Sequence, residues 1–490
     1  MLFTTISFLV FFIGLYLVFW SIPGRWRLPY LLLVSILFYA AWSVLFAVHF
    51  LAMVAIGYYF ARRIYAAKSP QSKKRNMVAA VLLNLANLFL FKYFYLFLTI
   101  LYDLDHNPLF TKKVFDGWLY SWSGSDSLVL PLAMSFYTFQ LIAIIVDYYR
   151  NQIDEPPQAL RFFVFILFFP QLIAGPIMRH SDFMQQLDTI QPRREYGQQG
   201  LYLVLLGLIK KVVIADNLIA GIAPPFHQPE SFNAASNAIA ILGFTAQVYC
   251  DFSGYTDMAR GLAFLLGLKL PRNFVAPYLS RSCRDLWTRW HVTLSTWLRD
   301  YIYIPLGGNR RGVLRNHLNV IITFTLGGLW HGANYTYVIW GFLHGLFLVM
   351  ERLVEDGLQK IRGPQAIAAA EQPRSRWVRG ILLLLQISYT YALFTFGALF
   401  FRALDMTHAM AMLFQIGTWA PGQTSEWNEY LLGMTVLAFG FNWIQNRKQD
   451  LILFVPDKWR YGTLAVASFF IWVLVGRYAP AGAAYIYFQF

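Results

Sequence analysis

The chain has 490 residues, of which 58% are hydrophobic, 18% aromatic and only 13% charged, against roughly 25% charged in a soluble domain. That composition excludes a water-soluble globular enzyme and points to an all-α, polytopic membrane protein. The formal net charge of +15, from 40 Lys and Arg against 25 Asp and Glu, is read as the positive-inside bias of short loops rather than as a nucleic-acid surface.

An apolar run of about 20 residues crosses a bilayer. In chain order such runs occupy 3–20, 28–41, 44–60, 78–101, 128–148, 199–216, 234–250, 335–350, 380–402, 429–445 and 462–476, with shorter ones at 161–175, 259–270, 286–306 and 317–330. The longer runs predict about eleven transmembrane helices. The shorter ones predict re-entrant or interfacial helices. The first run has no basic stretch before it and no small-residue cleavage site, so it is expected to remain as an uncleaved span.

The whole chain, 1–490, is read as one membrane-embedded domain. Within it, 1–150 carries plain N-terminal spans and 161–345 is a core whose apolar runs are shortened by Gly and Pro. Residues 351–379 are expected to form a polar linker, with six basic and four acidic residues, and 380–490 the C-terminal spans. Irregular backbone at membrane depth survives only where protein or a water-filled cavity surrounds it, so the core is expected to line a cavity.

Charge orients the chain. Residues 62–75 contain Arg62, Arg63, Lys68, Lys73, Lys74 and Arg75 and no acid, whereas 102–127 sets Asp103, Asp105, Asp116 and Asp126 against Lys112 and Lys113. The first loop is expected to be cytoplasmic and the second external, with the N-terminus outside if three spans precede residue 62. The two cysteines, Cys250 and Cys283, build neither a disulfide framework nor a Cys-based metal site, and no metal is expected.

Chemistry concentrates in two stretches. In "LGGLWHGANYTYVIWGFLHG", 326–345, Gly327, Gly328 and Gly332 surround His331, and polar groups within a membrane tend to face a cavity. Two readings stand for His331: a base in a cavity, or a core histidine bonding a neighbouring carbonyl. His344, 13 residues on, falls about 140° away on a continuous helix and is read as structural. In "RDLWTRWHVTLSTWLRDYIYIPLGGNRRG", 284–312, a helix places Trp287, His291, Ser295 and Leu298 on one face and pairs Asp285 with Arg289. Arg310 and Arg311, after the Pro305 and glycine break, suit either phosphate binding or the positive-inside rule. A Walker loop, a dinucleotide fingerprint, a nucleophile elbow and a zinc helix are all missing from the sequence. Histidine is then the best-placed general base.

"LPLAMSFYTFQ" (130–140), "FFPQLIAGPIMR" (168–179), "YCDFSGYTDMARGLAFLLG" (249–267), "NFVAPYLSRSCRDLWTRWHVTLSTWLRDYIYIPLGGNRRG" (273–312), "LGGLWHGANYTYVIWGFLHG" (326–345) and "FFRA" (400–403) resemble the membrane-bound O-acyltransferase (MBOAT) family. They resemble most its bacterial branch containing the alginate O-acetyltransferase membrane subunit. The resemblance implies an acyltransferase built as an α-helical funnel with a thin floor, reached by a thioester from the cytoplasm and by the acceptor from outside. It places the essential histidine on His331 and the second family position on His291, which orients the site or stabilises the oxyanion. Trp330, Asn334 and Ser295 are expected to line the cavity.

The resemblance further implies acetyl-CoA as donor, with no bound cofactor, and O-acetylation of an exported, alginate- or cellulose-like polysaccharide. The expected partners are an external SGNH-hydrolase-like acetyltransferase, the exopolysaccharide biosynthesis complex and membrane lipid, with the chain a multi-pass protein of the bacterial inner membrane. D-alanyl or other acyl transfer from a carrier protein, as in the teichoic-acid subunits, is the alternative. A non-catalytic polysaccharide channel or flippase is the second.

Overall fold

The computed structural model describes residues 3–123, 128–173, 175–370 and 375–448, together with 462, 466 and 467. Most of the expected 462–476 span, Asp126 in the acidic loop and residues 371–374 of the polar stretch lie outside them. Among the described residues there are twenty α-helices and no strand. In chain order they are α1 (Ile6–Ser21), α2 (Gly24–Ala40), α3 (Val44–Tyr65), α4 (Pro70–Leu88), α5 (Phe94–Asp105), α6 (Lys112–Ser123), α7 (Met134–Tyr149), α8 (Ala159–Leu167), α9 (Phe169–Leu172) and α10 (His180–Phe183). There follow α11 (Arg194–Leu208), α12 (Asp216–His227), α13 (Ala234–Leu265), α14 (Cys283–Arg289), α15 (Val292–Leu298), α16 (Val313–His331), α17 (Tyr335–Ala370), α18 (Arg376–Arg402), α19 (Met406–Gly417) and α20 (Asn428–Lys448).

Side chains set the first helix starts. Thr5, Ser43 and Ser69 accept from the amides of Phe8, Phe46 and Ser72 at 3.2, 3.3 and 3.2 Å, and Pro70 follows Ser69 at the first helical position, where its missing N–H is not needed. A π turn, Phe89–Tyr93, joins α4 to α5, so Pro70–Asp105 runs as one 36-residue rod. At 1.5 Å per residue the rod is about 54 Å long, well beyond the roughly 30 Å hydrocarbon core. It holds the basic loop before it and the acidic loop after it at opposite ends.

Four helices among the described residues are long and apolar enough to cross a membrane by length and composition: Val44–Tyr65, Pro70–Asp105, Tyr335–Lys360 and Arg376–Arg402. The chain is a multi-pass membrane protein, and large apolar side chains such as Leu45 (75% exposed) and Leu384 (65%) on these helices are exposed. The 32-residue α13 differs, since it is buried almost throughout and carries Asp251, Asp257 and Arg260. Those charges are matched rather than isolated. Lys210 meets Asp257 at 2.8 Å and Lys211 meets Asp216 at 2.6 Å and Asp251 at 2.5 Å. The polar stretch read as a linker is helical through Ala370, as the end of α17, and resumes as helix at Arg376.

Candidate active site

The 286–306 run, which reads as a single helix, is broken where His291 lies, and the boundary between the 317–330 and 335–350 runs falls at His331. Within 326–345, α16 ends at His331 and α17 begins at Tyr335, so the segment is a helical hairpin. His331 and His344 therefore sit on different helices. The glycines let α16 and α17 touch backbone to backbone: a Cβ on Gly328 would lie 2.2 Å from the Tyr337 carbonyl oxygen, and one on Gly332 would lie 2.1 Å from the Tyr337 ring. Within 286–306 the chain forms α14, then Trp290 and His291, then α15 and a π turn, Arg299–Tyr303. Trp287, His291, Ser295 and Leu298 thus do not share one helical face, because His291 takes a left-handed backbone conformation, φ 43°, that no helix continues through. The Asp285–Arg289 pair forms as expected, at 2.7 Å.

The two breaks meet. His331 and His291 are 4% and 0% exposed, with ring centroids 6.5 Å apart. Aromatic rings wall the pair: Trp330, Trp340 and Phe401 lie 4.9, 5.0 and 5.1 Å from the His331 ring, and Phe252 lies 4.6 Å from His291. His291 is held by Asn273, whose Oδ1 lies 3.2 Å from Nδ1. The His291 Nε2 is buried without a hydrogen-bond partner among the described residues.

Sequence reasoning missed Lys92. From the π turn of the long rod its ammonium donates to the carbonyls of Trp330 (2.5 Å) and His331 (3.2 Å) and to Ser135 Oγ (3.2 Å), while the Tyr93 hydroxyl donates to the Leu329 carbonyl at 3.1 Å. These three carbonyls belong to the last turn of α16, which has no intrahelical donors for them. The signal was present in the sequence as one charge in the apolar "LFLFKYFYLF", a placement that marks function within membranes.

Two cavities lie near the pair, and of the two histidines only His331 lines one of them. One of about 520 Å³ is lined by Arg284, Trp287, Ser295, Arg299, Thr323 and Arg352 among others, and by Val292, the residue after His291. A smaller one of about 40 Å³ is lined by Lys92, Ser135, Trp330 and His331 with the start of α7. The larger lies toward the basic end of the fold: Arg299 adjoins Asp300, whose carbonyl accepts from Arg150 at 3.1 Å, and the next residue, Asn151, bonds Lys73 of the basic loop. The opposite end holds Tyr335, whose hydroxyl donates to Asp103 of the acidic loop at 2.9 Å.

Of the residues expected to line the cavity, Ser295 faces the larger and Trp330 the smaller. Asn334 lies outside both sets. It ties the α16–α17 turn to the chain after α18 by donating to the Leu404 carbonyl at 3.0 Å. Arg310 and Arg311 are exposed on the turn beyond Tyr303, which lines the larger cavity. His344 packs against Trp287 and Trp340 at 5.1 and 4.9 Å, and neither of its buried ring nitrogens has a hydrogen-bond partner among the described residues.

Residues 150–378 match the model of the membrane-bound O-acyltransferase family. The chain is similar to the probable alginate O-acetylase of Pseudomonas aeruginosa, 35% identical over 450 residues covering 90% of this chain and 80% of the relative. It is also similar to the peptidoglycan O-acetyltransferase of Helicobacter pylori, 36% identical over 69% of this chain and 66% of that one. The teichoic acid D-alanyltransferase of Bacillus subtilis is 26% identical over 58% of this chain and 71% of the relative.

Proposed function

Because this chain belongs to the membrane-bound O-acyltransferase family and is a multi-pass membrane acyltransferase, we propose that it passes an acetyl group from cytoplasmic acetyl-CoA across the bacterial inner membrane to O-acetylate an exported polysaccharide. The observation that carries the reading is the buried His331–His291 pair, 6.5 Å apart, with His331 lining the smaller cavity and the larger, arginine-lined cavity reaching Val292, the residue after His291. His331 takes the proton of the acceptor hydroxyl as its oxygen attacks the thioester carbonyl. Collapse of the tetrahedral intermediate breaks the C–S bond, and the thiolate leaves with that proton, giving an O-acetyl ester and free CoA.

The donor enters the larger cavity, where Arg284, Arg299 and Arg352 hold its phosphates through charge-assisted hydrogen bonds, with Arg310 and Arg311 drawing it toward the entrance. The acceptor side opens at Lys92 and Ser135, where an external SGNH-hydrolase-like partner completes transfer to sugar within an exopolysaccharide complex. Similarity to the Bacillus D-alanyltransferase favours, as a second reading, a carrier-protein thioester as donor. Inverted membrane vesicles containing the protein and supplied with acetyl-CoA or an acylated carrier protein separate the two: thiol release from acetyl-CoA supports the first reading, release only from the carrier supports the second. Release from neither returns the chain to a channel.

A further inference from the structure

Asn273 makes more contacts with the His291 break than any local fold requires. Its backbone carbonyl accepts from the Val292 amide at 3.0 Å. Its side-chain Oδ1 accepts from the Thr293 amide at 3.1 Å and the Thr293 hydroxyl at 2.9 Å, and lies 3.2 Å from His291 Nδ1. A backbone N–H only donates, so the Thr293 amide settles which end of the Asn273 side chain is oxygen, the point an amide otherwise leaves open. The Thr293 hydroxyl itself accepts from the Ile177 amide at 3.0 Å, which leaves its hydrogen for Asn273. An oxygen facing His291 Nδ1 demands a hydrogen there. The neutral imidazole then carries its lone pair on Nε2, the buried nitrogen that has no partner among the described residues.

We infer that Asn273 is a positioning residue that fixes His291 as the Nδ1–H tautomer and so makes His291 a hydrogen-bond acceptor in the transfer rather than an oxyanion donor, an assignment that rests on the acyl-transfer reading above. In this tautomer Nε2 offers nothing to a developing oxyanion. It accepts instead, from the incoming hydroxyl or from His331 once His331 holds a proton. A neutral amide suits the depth of the site, since both residues are buried, at 2% and 0% exposure, and a carboxylate there would need its own counter-charge.

The test measures kcat and the donor KM of thioester consumption by the full-length protein in vesicles. Asn273→Leu removes the acceptor and is expected to lower kcat by about 10²-fold or more, the scale of acid–base catalysis, with donor KM within about threefold. Asn273→Gln keeps a neutral amide oxygen as acceptor and is expected to recover at least about tenfold of that loss. If Asn273→Leu does not accumulate in the membrane, Asn273→Ser, whose oxygen falls short of Nδ1, takes its place. A kcat for the Leu variant equal to wild type, or a Gln variant no better than Leu, overturns the inference while the acyl-transfer reading stands. A wild-type protein that consumes no thioester overturns both.

Discussion

Lys92 and His331 are joined across 239 residues by a hydrogen bond of 3.2 Å from the lysine ammonium to the histidine's own carbonyl. The π turn that carries Lys92 thereby caps the helix that ends in His331, and one membrane-depth charge fixes where that ring stands. Lys92→Met removes the ammonium that donates to the carbonyls of Trp330 and His331. An orphaned buried polar group costs about 1–3 kcal/mol, so the variant is expected to show a lower unfolding temperature in detergent together with slower acyl transfer. Unchanged values of both would remove Lys92 from the account.

Glycine at position 328 is expected to be irreplaceable. A Cβ there would lie 2.2 Å from the Tyr337 carbonyl oxygen, a backbone atom that does not swing aside, and overpacking of this kind costs about 1–3 kcal/mol. Gly328→Ala should accumulate poorly in membranes. Gly433→Ala, where a Cβ meets nothing within 4 Å, is the matched control and should accumulate normally. Equal amounts of the two variants would mean that the hairpin relaxes freely.

The donor reading is checked at its arginines. A lost charge-assisted phosphate contact removes about 1.5–3 kcal/mol, a tenfold to hundredfold weakening on the scale of about 1.4 kcal/mol per decade. Arg284→Ala and Arg352→Ala should each raise the acetyl-CoA KM by about that factor. Arg310→Ala, Arg311→Ala should raise it less, and the effect should fade in high salt, because exposed charges are screened. A larger effect from the exposed pair would move the phosphate site to the turn.

Orientation is tested with thiol labelling. Cys250 and Cys283 are both buried, so an introduced cysteine reports alone. In intact cells Gln71→Cys, in the basic loop, should resist an impermeant thiol reagent, and Lys113→Cys, in the acidic loop, should react. The reverse pattern would place the arginine-lined cavity outside and contradict a cytoplasmic donor.

Composition and run length made the helical, membrane-spanning class legible, and local motif made His331 and His291 legible. Their meeting was not, because periodicity treats 286–306 as one continuous helix and says nothing of how it lies against the boundary between the 317–330 and 335–350 runs. The breaks depend on tertiary contacts: Asn273 gripping the chain after His291, and Tyr337 lying over Gly332. Arg310 and Arg311 drew notice as adjacent charges, yet the larger cavity is lined by Arg284, Arg299 and Arg352, which are scattered in sequence and gathered only by folding. Asn334 looked like a cavity residue because it is polar within an apolar run. In the structure it satisfies a backbone carbonyl at a turn, the commoner use of such a side chain.

The central claim is that His331 performs the transfer, and polymer acetylation in cells tests it most directly. Alkali-labile O-acetyl on the exported polysaccharide is measured in cells carrying the wild-type protein or His331→Ala, with the amount of each protein in the membrane determined alongside. Loss of a general base lowers the rate by about 10²- to 10⁴-fold. His331→Ala is therefore predicted to reach the membrane at wild-type level and leave the polymer essentially unacetylated. Wild-type acetylation by that variant would contradict the account.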